Sequence, residues 1–160
     1  MQAAVLKPSA ENIVLRRAEL DDSDALFAWR NDPLTRRNSR NTDPVPREDH
    51  DRWFARMLER PEGHLCVGEA SGERVGVVRF DLLGACMFEV SITVAPSLRF
   101  RGHGRRLLGI ALKTMAPCVL IAEIKDGNVA SKRLFASCGF QLIGYSEDRL
   151  GRYALILPAG

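Results

Sequence analysis

At 160 residues with 46% hydrophobic side chains, the chain is long enough to bury a core and short enough to suggest one domain. A net charge of +3 is too mild to argue for nucleic acid. No signal-peptide pattern opens the chain and no apolar run approaches membrane-spanning length. The four cysteines, Cys66, Cys86, Cys118 and Cys138, are scattered with no C-x-x-C pair. That spacing fits reduced thiols in a cytoplasmic protein better than disulfides or a metal site, so no metal is expected.

Residues 1–12 read as a flexible leader and residues 13–160 as one folded domain. A β-prone run over 13–17 predicts the first strand. Asp21 and Asp22 fit the N-cap of a helix carrying Ala25, Leu26, Phe27 and Trp29. That helix should stop at Asn31-Asp32-Pro33, because a residue before proline disfavours the α region. The polar, proline-punctuated stretch 35–46 predicts a loop. A second helix over 47–59 places Trp53, Phe54, Met57 and Leu58 on one side.

Three β-rich runs, 64–70, 75–83 and 86–94, then predict an antiparallel meander. A helix over 104–115 ends at Pro117, and a short apolar strand covers 119–124. A further helix over 129–138 has Gly139 beyond its end, and 140–145 with 153–157 make a last strand pair. The predicted class is α+β: a mixed, mostly antiparallel twisted sheet of about six to seven strands, flanked by four helices.

Between the strand ending at Val94 and the helix beginning near Gly104 lies Arg99-Phe100-Arg101-Gly102-His103-Gly104-Arg105-Arg106, with four arginines and no acid. The first amides of a helix have no internal partner and carry partial positive charge. Glycines let the main chain approach a ligand, so strand, basic glycine loop and helix together suit an anion such as a pyrophosphate. Neither common nucleotide-binding glycine pattern is present.

The stretch Arg99-x-x-Gly102-x-Gly104 resembles the acyl-CoA loop of the GNAT superfamily of N-acetyltransferases. Phe100 stands where that family often has glycine, and His103 where it often has an aliphatic residue. About 25 residues on, Asn128-x-x-Ser131-x-x-Leu134-Phe135-x-x-x-Gly139-Phe140 resembles the family's second hallmark. The resemblance covers 13–157 and implies the GNAT fold, acetyl-CoA as co-substrate, and direct acetyl transfer to a primary amine. It implies a cofactor set of Val94, Arg99, Arg101, Gly102, His103, Gly104, Arg105, Arg106, Asn128, Ser131 and Phe135.

Amine acetylation needs a base for the amine and an acid for the departing thiolate. Along 88–94, Glu89, Ser91 and Thr93 share one strand face and Val90, Ile92 and Val94 the other, so the polar face belongs to a cleft or to solvent. By similarity, Glu89 is the first candidate base and Glu123 on the next strand the second. Phe135 replaces the tyrosine that supplies the acid in many relatives, which leaves Ser131 and Tyr145 as candidate donors.

Trp29-Arg30-Asn31-Asp32-Pro33, Arg37-x-Ser39, Glu48-x-His50 and Trp53-Phe54 resemble the nucleotide-sugar subgroup, which acetylates UDP-4-amino-sugars. The resemblance implies Trp29, Arg30, Asn31 and His50 as substrate-binding residues. Guanidinium groups suit phosphate and an indole face suits uracil, although Trp29 and Trp53 also have core-like spacing. The alternatives are an N-acetyltransferase of protein N-termini or ribosomal proteins, a non-catalytic acyl-CoA-binding module, and nucleic-acid binding through the arginines. The expected partner is a small-molecule amine, with a homodimer admitted and neither membrane nor nucleic acid expected.

Overall fold

The computed structural model describes residues 12–60 and 64–159, so the expected leader, apart from Asn12, lies outside the described residues. In chain order the elements are β1 (Val14–Arg17), α1 (Ser23–Asn31), α2 (Pro33–Asn38), α3 (Arg47–Glu59), β2 (Leu65–Ala70), β3 (Glu73–Gly84) and β4 (Met87–Val94). There follow α4 (His103–Leu112), β5 (Cys118–Ile124), α5 (Val129–Ser137), β6 (Gln141–Tyr145) and β7 (Gly151–Leu157). One seven-stranded sheet runs β1-β2-β3-β4-β5-β7-β6. Every neighbouring pair is antiparallel except β4 and β5. The α+β expectation holds, with five helices in place of four.

The extra helix is α2, which falls partly in the stretch read as loop. Asp32 ends α1 and also caps α2: its carboxylate accepts from the amides of Leu34 (3.1 Å) and Thr35 (3.0 Å), and Pro33 occupies the first helical position. Proline there loses no bond, because that amide is unpaired in any helix. Signals read as the stop of one helix thus also start the next.

The sheet is covered on both faces. Leu107, Leu108 and Ala111 of α4 and Phe135 of α5 pack with Val78 and Phe80 of β3, Val90 of β4 and Leu120 of β5. On the other face Leu26 of α1 and Phe54 and Met57 of α3 pack with Leu65 and Val67 of β2, against Val77. Adjacent positions of β3 therefore serve opposite cores, as the alternation of a strand requires. No helix among the described residues is long and apolar enough to cross a membrane.

Asp22 does not cap α1 with its side chain, as its position in the sequence suggests. Its carboxylate is fully buried, bound by Arg16 of β1 through two bonds of 2.8 Å and by Arg74 of β3 at 2.5 Å. It also accepts from the amide of Glu19. Burial by itself would raise this carboxyl, but the bonds from Arg16 and Arg74 outweigh it and hold the pKa at about 2, below the ordinary 3.8. Asp22 thereby ties the edge of the sheet to the start of α1.

Removing one partner of a buried ion pair strands the others, so Asp22→Asn is expected to cost about 3–5 kcal/mol in urea unfolding. Because the folded pKa lies below the unfolded one, the carboxylate's contribution is complete above about pH 4 and lost as pH falls through 2. The variant's deficit should therefore shrink in acid, by up to about 2 kcal/mol. An equal deficit at pH 7 and at about pH 2.5 would contradict the assignment.

Candidate active site

Strands β4 and β5 run parallel and pair only at Met87–Val119, Phe88–Leu120 and Glu89–Ile121. Beyond Glu89 they diverge, and the gap opens a cleft of about 730 Å³. Val90 to Val94 line one side, Ala122 to Lys125 the other, and Ser131, Leu134 and Phe135 of α5 close an end. Past Glu89 the main chain of β4 faces the gap rather than β5, and its polar groups there are ones a ligand amide can use.

The N-terminus of α4 meets this cleft. Gly102 is its N-cap with φ +84°, a left-handed conformation that glycine adopts without strain. The first helical bond runs from the Arg106 amide to the Gly102 carbonyl, so the amides of His103, Gly104 and Arg105 have no intrahelical acceptor. A Cβ on Gly104 would lie 2.5 Å from Leu134 Cδ1 and 3.2 Å from Val94 Cγ2, so the missing side chain lets α4 seat against α5 and β4. Phe100 takes φ +59°, which a side chain adopts at a cost of roughly 1–2 kcal/mol. Its departure from the glycine common in the motif therefore leaves the glycine conformation in place, with the ring exposed at the cleft.

The expected cofactor residues divide. Val94, Gly102, Gly104, Arg105, Asn128, Ser131 and Phe135 line the cleft, whereas Arg101 and Arg106 are exposed elsewhere and His103 is buried. Arg99 also lines it, but its guanidinium is committed to Asp32 (2.7 Å) and Thr35 Oγ1 (2.7 Å), tying the loop to the start of α2. The Asn128 side chain caps α5, accepting from the Ser131 amide (3.2 Å) and donating to Ser131 Oγ (3.1 Å). The serine hydroxyl thus receives one hydrogen bond and keeps its own proton to give. Phe135 is 3% exposed and packs edge-to-face on Phe140 at 5.0 Å, so it is chiefly a core residue.

Glu89, Ser91 and Thr93 all face the cleft, on the strand face the alternation assigns them. Glu123 lies two residues beyond the last pairing position of β5 and reaches the same face. Its Oε1 accepts from Arg152 (2.8 Å) and its Oε2 from Arg40. Burial works to raise the Glu123 carboxyl, but those two arginines hold it below its usual range. Tyr145 is not brought to the site. It is 58% exposed on β6, the outermost strand, because β7 inserts between β6 and β5.

Set against these features, the comparisons are direct. A family model for the acetyltransferase (GNAT) domain matches residues 12–141. The chain belongs to the GNAT acetyltransferase family. N-acetyl transfer from acetyl-CoA is the chemistry of that family, and the cleft suits the donor: the amides of Gly104 and Arg105 at the helix start for a diphosphate, and an open strand edge for an amide-bearing arm. The chain is 35% identical over 95 residues to the N-alpha-acetyltransferase RimI of Mycobacterium tuberculosis, over 57% of this chain and 60% of that one. It thus spans about three-fifths of the length of that curated relative. Among solved structures it is similar to a ribosomal-protein-alanine N-acetyltransferase from Brucella melitensis, with 28% identity and a TM-score of 0.70 over 90% of this chain and 99% of that one. It is also similar to yncA from Salmonella typhimurium with its cofactor acetyl-CoA, with 26% identity and a TM-score of 0.72 over 93% and 96%.

A second cavity, about 270 Å³, lies between α1, α3 and the sheet. Trp29, Trp53 and Leu26 line it, and Arg30, Arg79, Ser91 and Thr93 line both it and the large cleft. Arg30 Nη2 donates to the Asn41 carbonyl (3.0 Å), while its Nη1 is buried with no partner among the described residues. Burial, then the charges of Arg36 and Arg79, pull the Arg30 guanidinium below its ordinary value. Arg79 stands over the Trp53 ring at 5.7 Å and pairs with Asp81. It is a residue that sequence reasoning missed. Its only signal is its place three residues after Gly76 in a strand that otherwise reads as core.

His50 lines the cavity wall but is 2% exposed, held by Ser23 through its carbonyl (3.0 Å) and hydroxyl (3.2 Å) and stacked on Phe54. Burial lowers its pKa, so it stays neutral. Asn31 lines neither cavity. Its amide exchanges two bonds with the main chain of Val45 (2.8 and 3.0 Å) and fixes the α2–α3 connection. Asn31 thus braces the site from outside both cavities, while His50 forms part of the smaller cavity's wall.

Asn128→Ala should lower stability by about 1 kcal/mol through loss of the α5 cap, and Asn128→Asp should retain most of it. Urea midpoints of the two variants check this. Equal losses would mean that the side chain acts elsewhere.

Proposed function

We propose that this chain acetylates the primary amine of a small amino-sugar nucleotide, taking the acetyl group directly from acetyl-CoA. The observation that carries the substrate half of this reading is Arg30. It is a partly buried guanidinium with an unpartnered nitrogen and no acid paired to it among the described residues, at the junction of an indole-lined cavity and the main cleft. A group with diphosphate charge beside an aromatic base meets both features, since guanidinium nitrogens bind phosphate oxygens and an indole face stacks on a base.

In this reading the amides of Gly104 and Arg105 and the Arg105 side chain hold the diphosphate of the donor, whose thioester supplies an activated acetyl carbonyl. Glu89, at the point where β4 and β5 part, takes the proton from the acceptor's ammonium. Ser131, whose oxygen already accepts from Asn128, gives a proton to the departing sulfur. Trp29, Arg30 and Arg79 orient the acceptor from the far side of Ser91 and Thr93. Domain limits follow the same reading: residues 13–160 act as one unit.

Likeness to RimI and to the ribosomal-protein-alanine enzyme favours a second reading, acetylation of a protein N-terminus. A thiol-release assay with acetyl-CoA against UDP-amino-sugars, alanine-starting peptides, amino acids and polyamines separates the two. Release with a UDP-4-amino-sugar supports the first, and release with peptides alone replaces it by the second. Acetyl-CoA binding with no release on any amine would favour a non-catalytic acyl-CoA module.

Gly102→Asp sets a carboxylate beside the proposed diphosphate site; an added Cβ meets nothing there and the left-handed φ of +84° costs roughly 1–2 kcal/mol, so acetyl-CoA affinity should vanish while the circular dichroism spectrum is kept. Unchanged calorimetric binding would place the donor elsewhere. Glu89→Gln should lower turnover by ~10²–10⁴ at neutral pH with donor affinity intact, the range for loss of a general base. Near-normal turnover would transfer that role to another group.

A further inference from the structure

The connection between α2 and α3 carries Arg40 across the mouth of the parted strands. One of its nitrogens, Nη2, meets Glu89 Oε1 at 3.0 Å and Glu123 Oε2 at 2.5 Å. The two carboxylates come from different strands and are fixed: their side chains are 23% and 11% exposed, and Glu123 is braced from behind by Arg152. Arg40 is 53% exposed and sits on a connecting segment. Two anchored acids converging on one nitrogen atom define a place for one cationic nitrogen, and all three residues line the main cleft.

An alkylammonium carries the same charge and three donors, enough for both contacts. We propose that Glu89 Oε1 and Glu123 Oε2 form the binding place of the acceptor's ammonium, and that Arg40 is a resident cation which the acceptor displaces. This rests on the N-acetyltransferase reading and adds a selection step to it. A hydroxyl or a neutral amide has no charge to exchange for Arg40, so the site discriminates in favour of amines before any chemistry occurs.

The exchange is cheap for the protein, because a half-exposed arginine in a surface pair contributes little to stability. It also separates the roles of the two acids. Glu123 keeps Arg152 when Arg40 leaves, so it remains a charged ligand of the ammonium. Glu89 pairs only with Arg40 among the described residues, so once Arg40 is gone it is the acid left to accept the ammonium's proton.

Steady-state kinetics on Arg40→Ala and Glu123→Gln, with whichever amine the thiol-release panel selects, test the exchange. Arg40→Ala should lower the acceptor KM about two- to five-fold, the worth of an exposed ion pair, with the acetyl-CoA KM unchanged. Glu123→Gln should raise the acceptor KM by about ten-fold or more, as loss of a charged hydrogen bond does. An unchanged or higher acceptor KM in Arg40→Ala would show that Arg40 assists binding, and would overturn the proposal. A second measurement needs no turnover: methylammonium chloride is titrated while the ¹³C carboxyl resonances of Glu89 and Glu123 are followed by NMR. Both should move saturably in Arg40→Ala, and in the wild-type chain they should do so at about two- to five-fold higher methylammonium. Silence in Arg40→Ala refutes the cation place whatever the acceptor. Saturable movement combined with no acetylation of any amine would leave the cation place standing and refute the acetyltransferase reading instead.

Discussion

The rest of the structure depends on how two parallel strands fail to stay paired. β4 and β5 share three residue positions and then part. A central pair in a sheet would ordinarily continue, because unpaired main-chain groups are costly unless something else satisfies them. Here the gap is kept open from both ends. The α4 N-terminus, seated through the missing side chain of Gly104, stands at one end, and α5, capped by Asn128, closes beside it. Gly104, Arg105, Glu89, Glu123 and Ser131, which the proposed reaction uses, all line that gap.

The charges around the gap are sorted. Glu89 and Glu123 stand at the fork between the strands with Arg40 on them. Arg30, Arg79 and the indole rings, with Asp49 as the one acid there among the described residues, line the side toward α1 and α3, with Ser91 and Thr93 between. Such sorting suits an acceptor that is cationic at one end and anionic at the other, and it opposes the reverse orientation. The segment 32–45 carries much of this arrangement. Arg99 holds its start through Asp32, Lys125 donates to the Arg37 carbonyl (2.9 Å), Arg40 reaches the two acids, and Asn31 pins Val45. It is a strap over the cleft, fastened at four points by groups that are separately weak.

Much of the fold was legible because it follows from local rules. Alternation along 88–94 placed Glu89, Ser91 and Thr93 on one face, and all three line the cleft, together with Val90, Ile92 and Val94 from the other face where the strands part. Glycine spacing after Val94 marked the helix start that the structure shows. What could not be read depends on strand order and on long-range charge. Tyr145 is a candidate donor in the sequence because Phe135 has no hydroxyl to give. Its distance from the site comes from β7 entering between β5 and β6, which no local signal announces. Asp22 has the sequence of a helix cap, yet two arginines from β1 and β3 claim it instead. Arg40 lies in a polar stretch like any solvated loop, and only the folded chain brings it to residues 49 and 83 positions away.

The two departures from the family pattern have different physical standing. Phe100 keeps the left-handed backbone that glycine would adopt, so the loop survives at the expense of some strain and gains an exposed ring at the cleft. Phe135 is a true loss of a hydroxyl, and the structure shows why it is tolerated as packing: the ring is buried edge-to-face against Phe140. A tyrosine there would need a partner for its hydroxyl or a path to the cleft. One helical turn earlier, Ser131 already faces the cleft with its oxygen receiving the Asn128 amide and its proton uncommitted. In the proposed reaction the hydrogen-bond donor therefore sits one turn earlier on α5, and the cap that starts the helix is what orients it.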